Sequence, residues 1–373
     1  MKNNRTFLEK LLDGAEIEWK PLIKVASLTR GRVISKEYLA NNLGDYPVYS
    51  SQTVNNGEIG KINSFDFDGE FVSWTTDGAN AGTVFYRSGK FSITNVCGLI
   101  KIQNNLELSY KFLFYWLSIE AKNHVYSGMG NPKLMSHQME KILIPIPPLS
   151  VQIEIVKILD ALTALTSELT SELTSELILR QKQYEYYREK LLSFDSLEQL
   201  NSGGGKKKLI DVAKIKNGKD WKHLGKGNIP IYGSGGIMGY VDTYAYDKPT
   251  VLIPRKGTIT NIFYLEEPFW NVDTIYYTEI NTTQILPKYF FYFMKTVDLA
   301  KLDTGSGRPS LTQAILNEIP IFVPSIEEQQ RIVSILDKFE TLTNSITEGL
   351  PLAIEQSQKR YEYYRELLLN FKL

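Results

Sequence analysis

The chain has 373 residues, enough for two domains of ordinary size, and 43% of them are hydrophobic, a globular composition. Its 42 basic and 42 acidic residues cancel, so only the distribution of charge is informative. One cysteine, Cys97, excludes an internal disulfide, which fits a reducing cytoplasm, and it reads as a small buried hydrophobe. No segment approaches the roughly 18 consecutive apolar residues of a membrane span, and MKNNRTFLEKLL lacks the apolar run of a signal peptide, so the expected location is cytoplasmic.

The first half opens on FLEKLL (7–12) and continues into short segments rich in Val, Ile, Thr and aromatics at 71–74, 83–86 and 98–102, divided by Gly, Asp and Asn turns. These predict strands. An aromatic helix is expected over YKFLFYWL (110–117), then a Gly-Pro loop, a second short helix and a proline-containing extended segment. A helix of some 45 residues follows. Its stripe is Ile155, Leu159, Leu162, Leu165, Leu169, Leu173 and Leu177, and TSELTSELTSEL (166–177) writes part of it as one four-residue word.

The same order then recurs. Strands are expected at 251–254, 261–264 and 275–278, and an aromatic helix over KYFFYFM (288–294). A second long helix follows, with Ile332, Leu336, Phe339, Leu342, Ile346, Leu350 and Ile354 as its stripe. QIEIVKILDALTALT (152–166) matches QQRIVSILDKFETLT (329–343), and YEYYREKLLSF (184–194) matches YEYYRELLLNF (361–371), both 177 residues apart. GMGNPKL (128–134) matches GSGRPSL (305–311) at the same offset. FLEKLL also echoes YREKLL (187–192), as though the chain began inside the tail of a repeat. Pro351 should kink or interrupt the second helix.

The fold expected is therefore α+β: two pseudo-repeated mixed domains, 1–149 and 199–324, and two long helices, 150–198 and 325–373. An amphipathic stripe of that length needs a cover, and the other copy supplies it as an antiparallel coiled coil. Leu165, Leu169, Leu173 and Leu177 would pair with Leu342, Ile346, Leu350 and Ile354. A 45-residue helix is about 66 Å long, close to two turns of B-DNA at ~34 Å each, so the rod sets a distance.

No chemistry is written in the chain. There is no phosphate-binding Gly-x-x-x-x-Gly-Lys-Ser/Thr loop, and GSGGIMG (233–239) has the spacing of a turn rather than of a dinucleotide loop. His124, His137 and His223 lack metal spacing, and nothing resembles an adenosylmethionine loop. Catalytic and metal residues are accordingly expected to be none.

Charge points to phosphate. Residues 151–200 carry 5 basic and 9 acidic residues, whereas 201–324 carry 15 and 11. The β-rich segments, not the acidic helices, should meet nucleic acid. In KKKLIDVAKIKNGKDWKHLGK (206–226), Lys219, Lys222 and His223 are the candidate DNA contacts, while Lys206, Lys207 and Lys208 read equally as a solubilising linker. Arg255 and Lys256 stand at a turn between strands, and Thr75, Thr76 and Asp77 hold that place in the first half, where a turn with solvated ends fits equally. Asn131, Lys133 and Arg308 lie in the paired Gly-x-Gly-x-Pro loops, where Asn131 and Arg308 read also as helix caps.

Two divergent mixed domains on near-identical long helices resemble the DNA-specificity subunit of type I restriction-modification enzymes. The IPIPPLSVQ and IFVPSIEEQQ helix starts, the TSEL words and both YEYYRE endings carry the resemblance, which covers essentially the whole chain. It implies that each domain reads half of a bipartite, asymmetric site in double-stranded DNA. It implies further that the rods dock two methyltransferase subunits, and that ATP-dependent restriction subunits complete the complex. The subunit itself would be non-catalytic and hold no cofactor; adenosylmethionine, ATP and magnesium would belong to the partners. The rival reading is a coiled-coil scaffold that assembles partners without reading DNA; a fused methyltransferase lacks its motifs.

Overall fold

The computed structural model describes residues 6–128, 130–199, 204–305, 307–344 and 348–372. It divides into two units, Met1–Thr170 with Gln356–Leu373, and Ser171–Glu355.

The first unit runs α1 (Phe7–Leu12), β1 (Glu18–Pro21), β2 (Ala26–Arg30), α2 (Lys36–Asn41), β3 (Leu43–Tyr49), β4 (Glu58–Ile62), β5 (Phe67–Thr75), β6 (Val84–Ile93) and β7 (Cys97–Ile102). Then come α3 (Tyr110–Glu120), α4 (Ser136–Met139), β8 (Leu143–Ile146) and the 44-residue α5 (Leu149–Leu192), which continues into the second unit. Six strands form one sheet in the order β2-β7-β5-β6-β3-β4, and β1 pairs antiparallel with β8. The central strand β5 is buried over residues 71–75 without alternation, as a strand covered on both faces must be. Trp74, Ile100, Phe112 and Leu113 belong to one core with Ile155 and Leu159 of α5.

The second unit repeats the order with α6 (Phe194–Gln199), β9 (Gly205–Lys208), α7 (Leu209–Val212), β10 (Ala213–Lys216), β11 (Ile229–Gly233), β12 (Gly236–Val241), β13 (Thr250–Pro254), β14 (Phe263–Leu265), β15 (Trp270–Asn271) and β16 (Ile275–Ile280). It closes with α8 (Pro287–Met294), α9 (Gln313–Asn317), β17 (Pro320–Val323) and α10 (Ile326–Asn344); α11 (Gly349–Leu368) follows and ends in the first unit. Its sheet is split, β10-β16-β13-β14 and β12-β11-β15. The single strand β6 pairs with both β5 and β3, whereas its counterpart is two short strands, β14 and β15. Glu266, Glu267 and Pro268 lie in that gap, and proline has no N–H to give a ladder.

The two units share one polar frame. Gln152 and Gln329, both fully buried at the start of α5 and α10, make the same three hydrogen bonds. Gln152 accepts from the N–H of Ser109 (2.9 Å) and donates to the carbonyls of Glu107 and Pro147. Gln329 accepts from Leu286 (2.7 Å) and donates to Gln284 and Pro324. Further along, Lys111 and the Tyr115 hydroxyl both reach Asp160, as Lys288 and Tyr292 both reach Asp337. A buried polar group is retained only with its partners, so these residues fix each long helix to its own domain.

The fold class is the one expected; of four details, all but the second are corrections. First, the covered stripe on α5 leaves out Leu165 and Leu169, which are 62% and 38% exposed. The covered face runs through Leu162, Thr166, Thr170, Leu173 and Leu177. Each step of four drifts the row by about 40°, and the single step of three from Thr170 to Leu173 brings the face back, so it passes from the threonine row to the leucine row. Second, Leu342, Leu350 and Ile354 are half-buried, whereas Ile346 lies outside the described residues. Third, the interruption precedes Pro351: α10 ends at Asn344 and α11 starts at Gly349. Pro351 thus falls in a first turn, where its missing N–H costs nothing. Gly349 has φ +80°, and a Cβ there would lie 2.6 Å from the Thr341 carbonyl oxygen. Fourth, α1 does not take the place of the α5 tail. It precedes β1 as α6 precedes β9, and both those strands pair with the strand leading into a long helix. Within the first unit, Thr163 of α5 donates to the Tyr361 hydroxyl (3.1 Å); within the second, Tyr187 stacks on Phe339 at 5.6 Å.

Candidate nucleic-acid interface

In each unit the turn after the central strand pairs with the Gly-x-Gly-x-Pro loop. In the second, Lys256 bridges Ser310, the Gly257 N–H donates to the Pro309 carbonyl (3.0 Å), and the Leu311 N–H donates to Arg255 (2.8 Å). In the first, Asp77 bridges Lys133, Gly78 donates to Pro132 (3.0 Å), and Leu134 donates to Thr76 (2.8 Å). Gly78 and Gly257 have φ +89° and +87°, a conformation that favours glycine. At Gly257 a Cβ would also lie 3.0 Å from the Arg308 guanidinium, so glycine lets that side chain lie across the turn.

Neighbouring loops tie into the same cluster. The Arg255 and Lys256 N–H groups both donate to Thr274, and the Lys219 N–H donates to Asn271 (2.9 Å). His223 lies edge-on to Trp270 at 6.2 Å, and the Trp270 indole donates to the Lys219 carbonyl. Asp303 accepts from the N–H groups of Gly305 and Ser310, both 2.8 Å, and closes the loop that carries Arg308. Those donors, Ser310 and then Gly305, hold its carboxyl below the usual range. Lys219, Lys222, Lys256 and Arg308 form no ion pair among the described residues, so one surface of this unit gathers cations. The structure brings Arg255, Lys256 and Arg308 together; Lys219 and His223 adjoin the strand end at Trp270 and Asn271, and Lys222 is exposed on the loop between them.

The first unit requires a correction. Thr75 and Thr76 are fully buried and cannot meet DNA with their side chains. The Thr76 hydroxyl donates inward to the Val96 carbonyl (2.9 Å), because the strand runs one residue further, to Thr75, than its composition suggests. Asp77, Lys133 and Asn131 occupy the surface instead. Lys206, Lys207 and Lys208 are not linker. They form β9, and reach Glu198 (2.6 Å), Gln284 (2.6 Å) and Glu318 (2.5 Å).

Sequence reading missed Arg30, whose Nη2 donates to the Asn95 carbonyl (2.9 Å) beside this cluster, and Arg32, paired with Asp66 at 2.9 Å. Arg32 holds the place of Lys219: Gly31 presses on the carbonyls of Ile93 and Thr94 and Gly218 on those of Asn271 and Val272, leaving no room for a Cβ. The internal repeat carried the signal, since Arg30-Gly31-Arg32 answers Asn217-Gly218-Lys219. Among the described residues no group of acidic, histidine and cysteine side chains could hold a metal, and no helix is long and apolar enough to cross a membrane.

Comparison with known proteins agrees with this duplicated arrangement. The profile of the type I restriction modification DNA specificity domain matches twice, at residues 16–178 and 201–356. A putative type I restriction enzyme specificity subunit from Haemophilus influenzae is 42% identical over the full length of both chains. A putative type I specificity subunit from Mycoplasma pneumoniae is 34% identical over 93% of this chain and 96% of its own. The crystal structure of the HsdS subunit from Thermoanaerobacter tengcongensis has the same fold, with a TM-score of 0.57 at 15% identity over 95% of this chain and 96% of that one. A scaffold without DNA reading is not what these relatives are, and the chain belongs to the type I restriction-modification DNA-specificity family, whose subunits recognise DNA.

Proposed function

We propose that each unit reads one half of a bipartite, asymmetric DNA site through its paired turn and Gly-x-Gly-x-Pro loop. The observation that carries this is the same backbone pairing in both units with different side chains on it: Asp77, Asn131 and Lys133 in one, Lys256, Arg308 and Ser310 in the other. Identical placement with different chemistry is what two different half-sites need. The long helices set the spacing and dock two methyltransferase subunits, in a cytoplasmic complex completed by ATP-dependent restriction subunits. Adenosylmethionine, ATP and magnesium belong to those partners, and this chain performs no chemistry.

Deletion of residues 170–173, one TSEL word, tests the spacing. It removes about 6 Å of rise and about 40° of net rotation. Both half-sites should stay the same and the unread spacer should shorten by one or two base pairs of ~3.4 Å. Mapping methylated positions in DNA modified by the deletion complex reads this directly. An unchanged spacer with activity retained would remove the ruler from the account. The same preparation without partners should transfer no methyl group, and turnover there would end the non-catalytic reading.

A further inference from the structure

Beneath the first unit's loop cluster lies a charge with no counter-charge. Arg87, in β6, is 2% exposed and forms no ion pair among the described residues. Its Nε donates to the Ser73 hydroxyl (3.0 Å) and its Nη1 to the Asn56 carbonyl (2.8 Å). The guanidinium lies 3.6 Å from the centre of the Tyr49 ring and 4.4 Å from that of Phe85. Burial pushes its pKa down to about 10, so it stays a cation at neutral pH. Burying an arginine without a carboxylate is costly, and the fold does not require it. Where the first unit pairs Val72 with Tyr86 and Phe71 with Arg87, the second pairs Val251 with Tyr264 and Thr250 with Leu265. The second unit thus does without the charge.

What the charge holds is a loop that the second unit also lacks. The β3–β4 connection covers residues 50–57, whereas the β11–β12 hairpin closes with Gly233 opposite Gly236. At its tip Asn55 (φ 51°) and Asn56 (φ 53°) are consecutive left-handed residues, both exposed, beside Val54 at 76% exposure. Glycine is the easy residue for that backbone, so two asparagines place carboxamides there at a conformational cost. Gln52 donates to the Glu58 carbonyl across the loop base. The loop adjoins the candidate interface: Asn80 donates to the Ser51 carbonyl (3.0 Å), and Thr94 to the Ser50 hydroxyl (2.9 Å).

We infer that the loop 50–57 is a base-reading element of the first unit, with Asn55 and Asn56 as specificity-determining residues and Arg87 as the positioning residue that holds them. A carboxamide presents a donor and an acceptor together, the pattern that matches the major-groove edge of adenine. This rests on the chain's reading of DNA. Arg87 acts through the backbone: its bond to the Asn56 carbonyl fixes the tip from below while both side chains point to solvent.

The test uses the full chain assembled with its modification subunits and selection from a randomised duplex library. Wild type should enrich a sequence with two half-sites. Asn55→Gly with Asn56→Gly keeps a backbone that suits φ > 0 and removes both carboxamides. It should lose base preference, at least fivefold in enrichment, at one or more positions of one half-site only. Arg87→Met should blur the same half-site, and Arg87→Lys, which keeps a cation over Tyr49, should restore part of the preference. A double-glycine variant that selects the wild-type sequence, or that blurs both halves alike, would overturn the loop's role. Arg87→Met with full preference would overturn the positioning role, and should it not assemble, the double-glycine variant still decides the loop. A wild-type complex that enriches no sequence would overturn the DNA-reading assignment and this inference with it.

Discussion

The two units differ most where they are most closely matched. Each hangs its domain on a buried glutamine, a tyrosine–aspartate pair and a proline loop bonded to the turn after the central strand. Above that common frame, the first unit has one continuous β6 and a long loop over a buried Arg87. The second has a strand broken before Pro268, a short glycine turn over Leu252, Phe263 and Phe269, and a cluster of lysines and arginines. Positions that hold the fold are therefore shared, and positions that face a ligand are not. A reader of two unlike half-sites needs this division of labour.

The largest effect is expected where the units differ in charge. Replacing Lys219, Lys222 and Lys256 by alanine should weaken DNA binding by orders of magnitude at low salt. It should flatten the log–log dependence on salt by about 2.7, at about 0.9 per phosphate contact. Binding titrations over a range of salt concentrations check this, and an unchanged slope would put these lysines on solvent or on partners.

The shared frame makes a symmetrical prediction. Gln152→Ala and Gln329→Ala each strand buried backbone donors and acceptors that the glutamine now satisfies. Each should cost about 3 kcal/mol, and the two costs should agree within about 1 kcal/mol. Denaturant unfolding followed in both variants measures it. Strongly unequal costs would mean that the common frame does not support the two domains equally.

A smaller effect separates the units at alkaline pH. Cys97 is buried, and burial pushes its thiol up to about 11 against the usual 9.0. At the matching place, also one residue after a turn and bonded back to it, the second unit has Ile275. A raised thiol pKa contributes stability that is complete below pH 9 and lost as pH rises through about 11. Cys97 should contribute a loss on the order of 2 kcal/mol over that window, and Cys97→Val should remove that share while leaving the shares of the buried tyrosines and Arg87. Thiol labelling in the folded state should be slow at neutral pH, with full labelling only on unfolding.

Much of this was legible before any coordinates. The 177-residue repeat located both long helices, and the turn at Lys256 and the proline loop at Arg308 were each legible, though not their pairing. Other features were hidden for physical reasons. Strand β5 is covered on both faces, so alternation could not show that Thr75 and Thr76 point inward. Leu165 and Leu169 looked like part of the stripe because spacings of four resemble a helical turn, whereas the covered face changes row by a step of three between Thr170 and Leu173. Arg87 gave no sign of burial, since arginine is ordinarily read as surface. The bond that reaches the Asn56 carbonyl comes from Arg87, 31 residues away in sequence, so no local pattern announces it.

One exchange tests the central claim most directly. Residues 20–150 would be replaced by the corresponding region of a relative, and the methylated sites of the hybrid complex mapped. The account predicts that one half-site changes, while the other half and the spacer stay as they were. A simultaneous change in both half-sites would contradict it, because the two units would then not be independent readers.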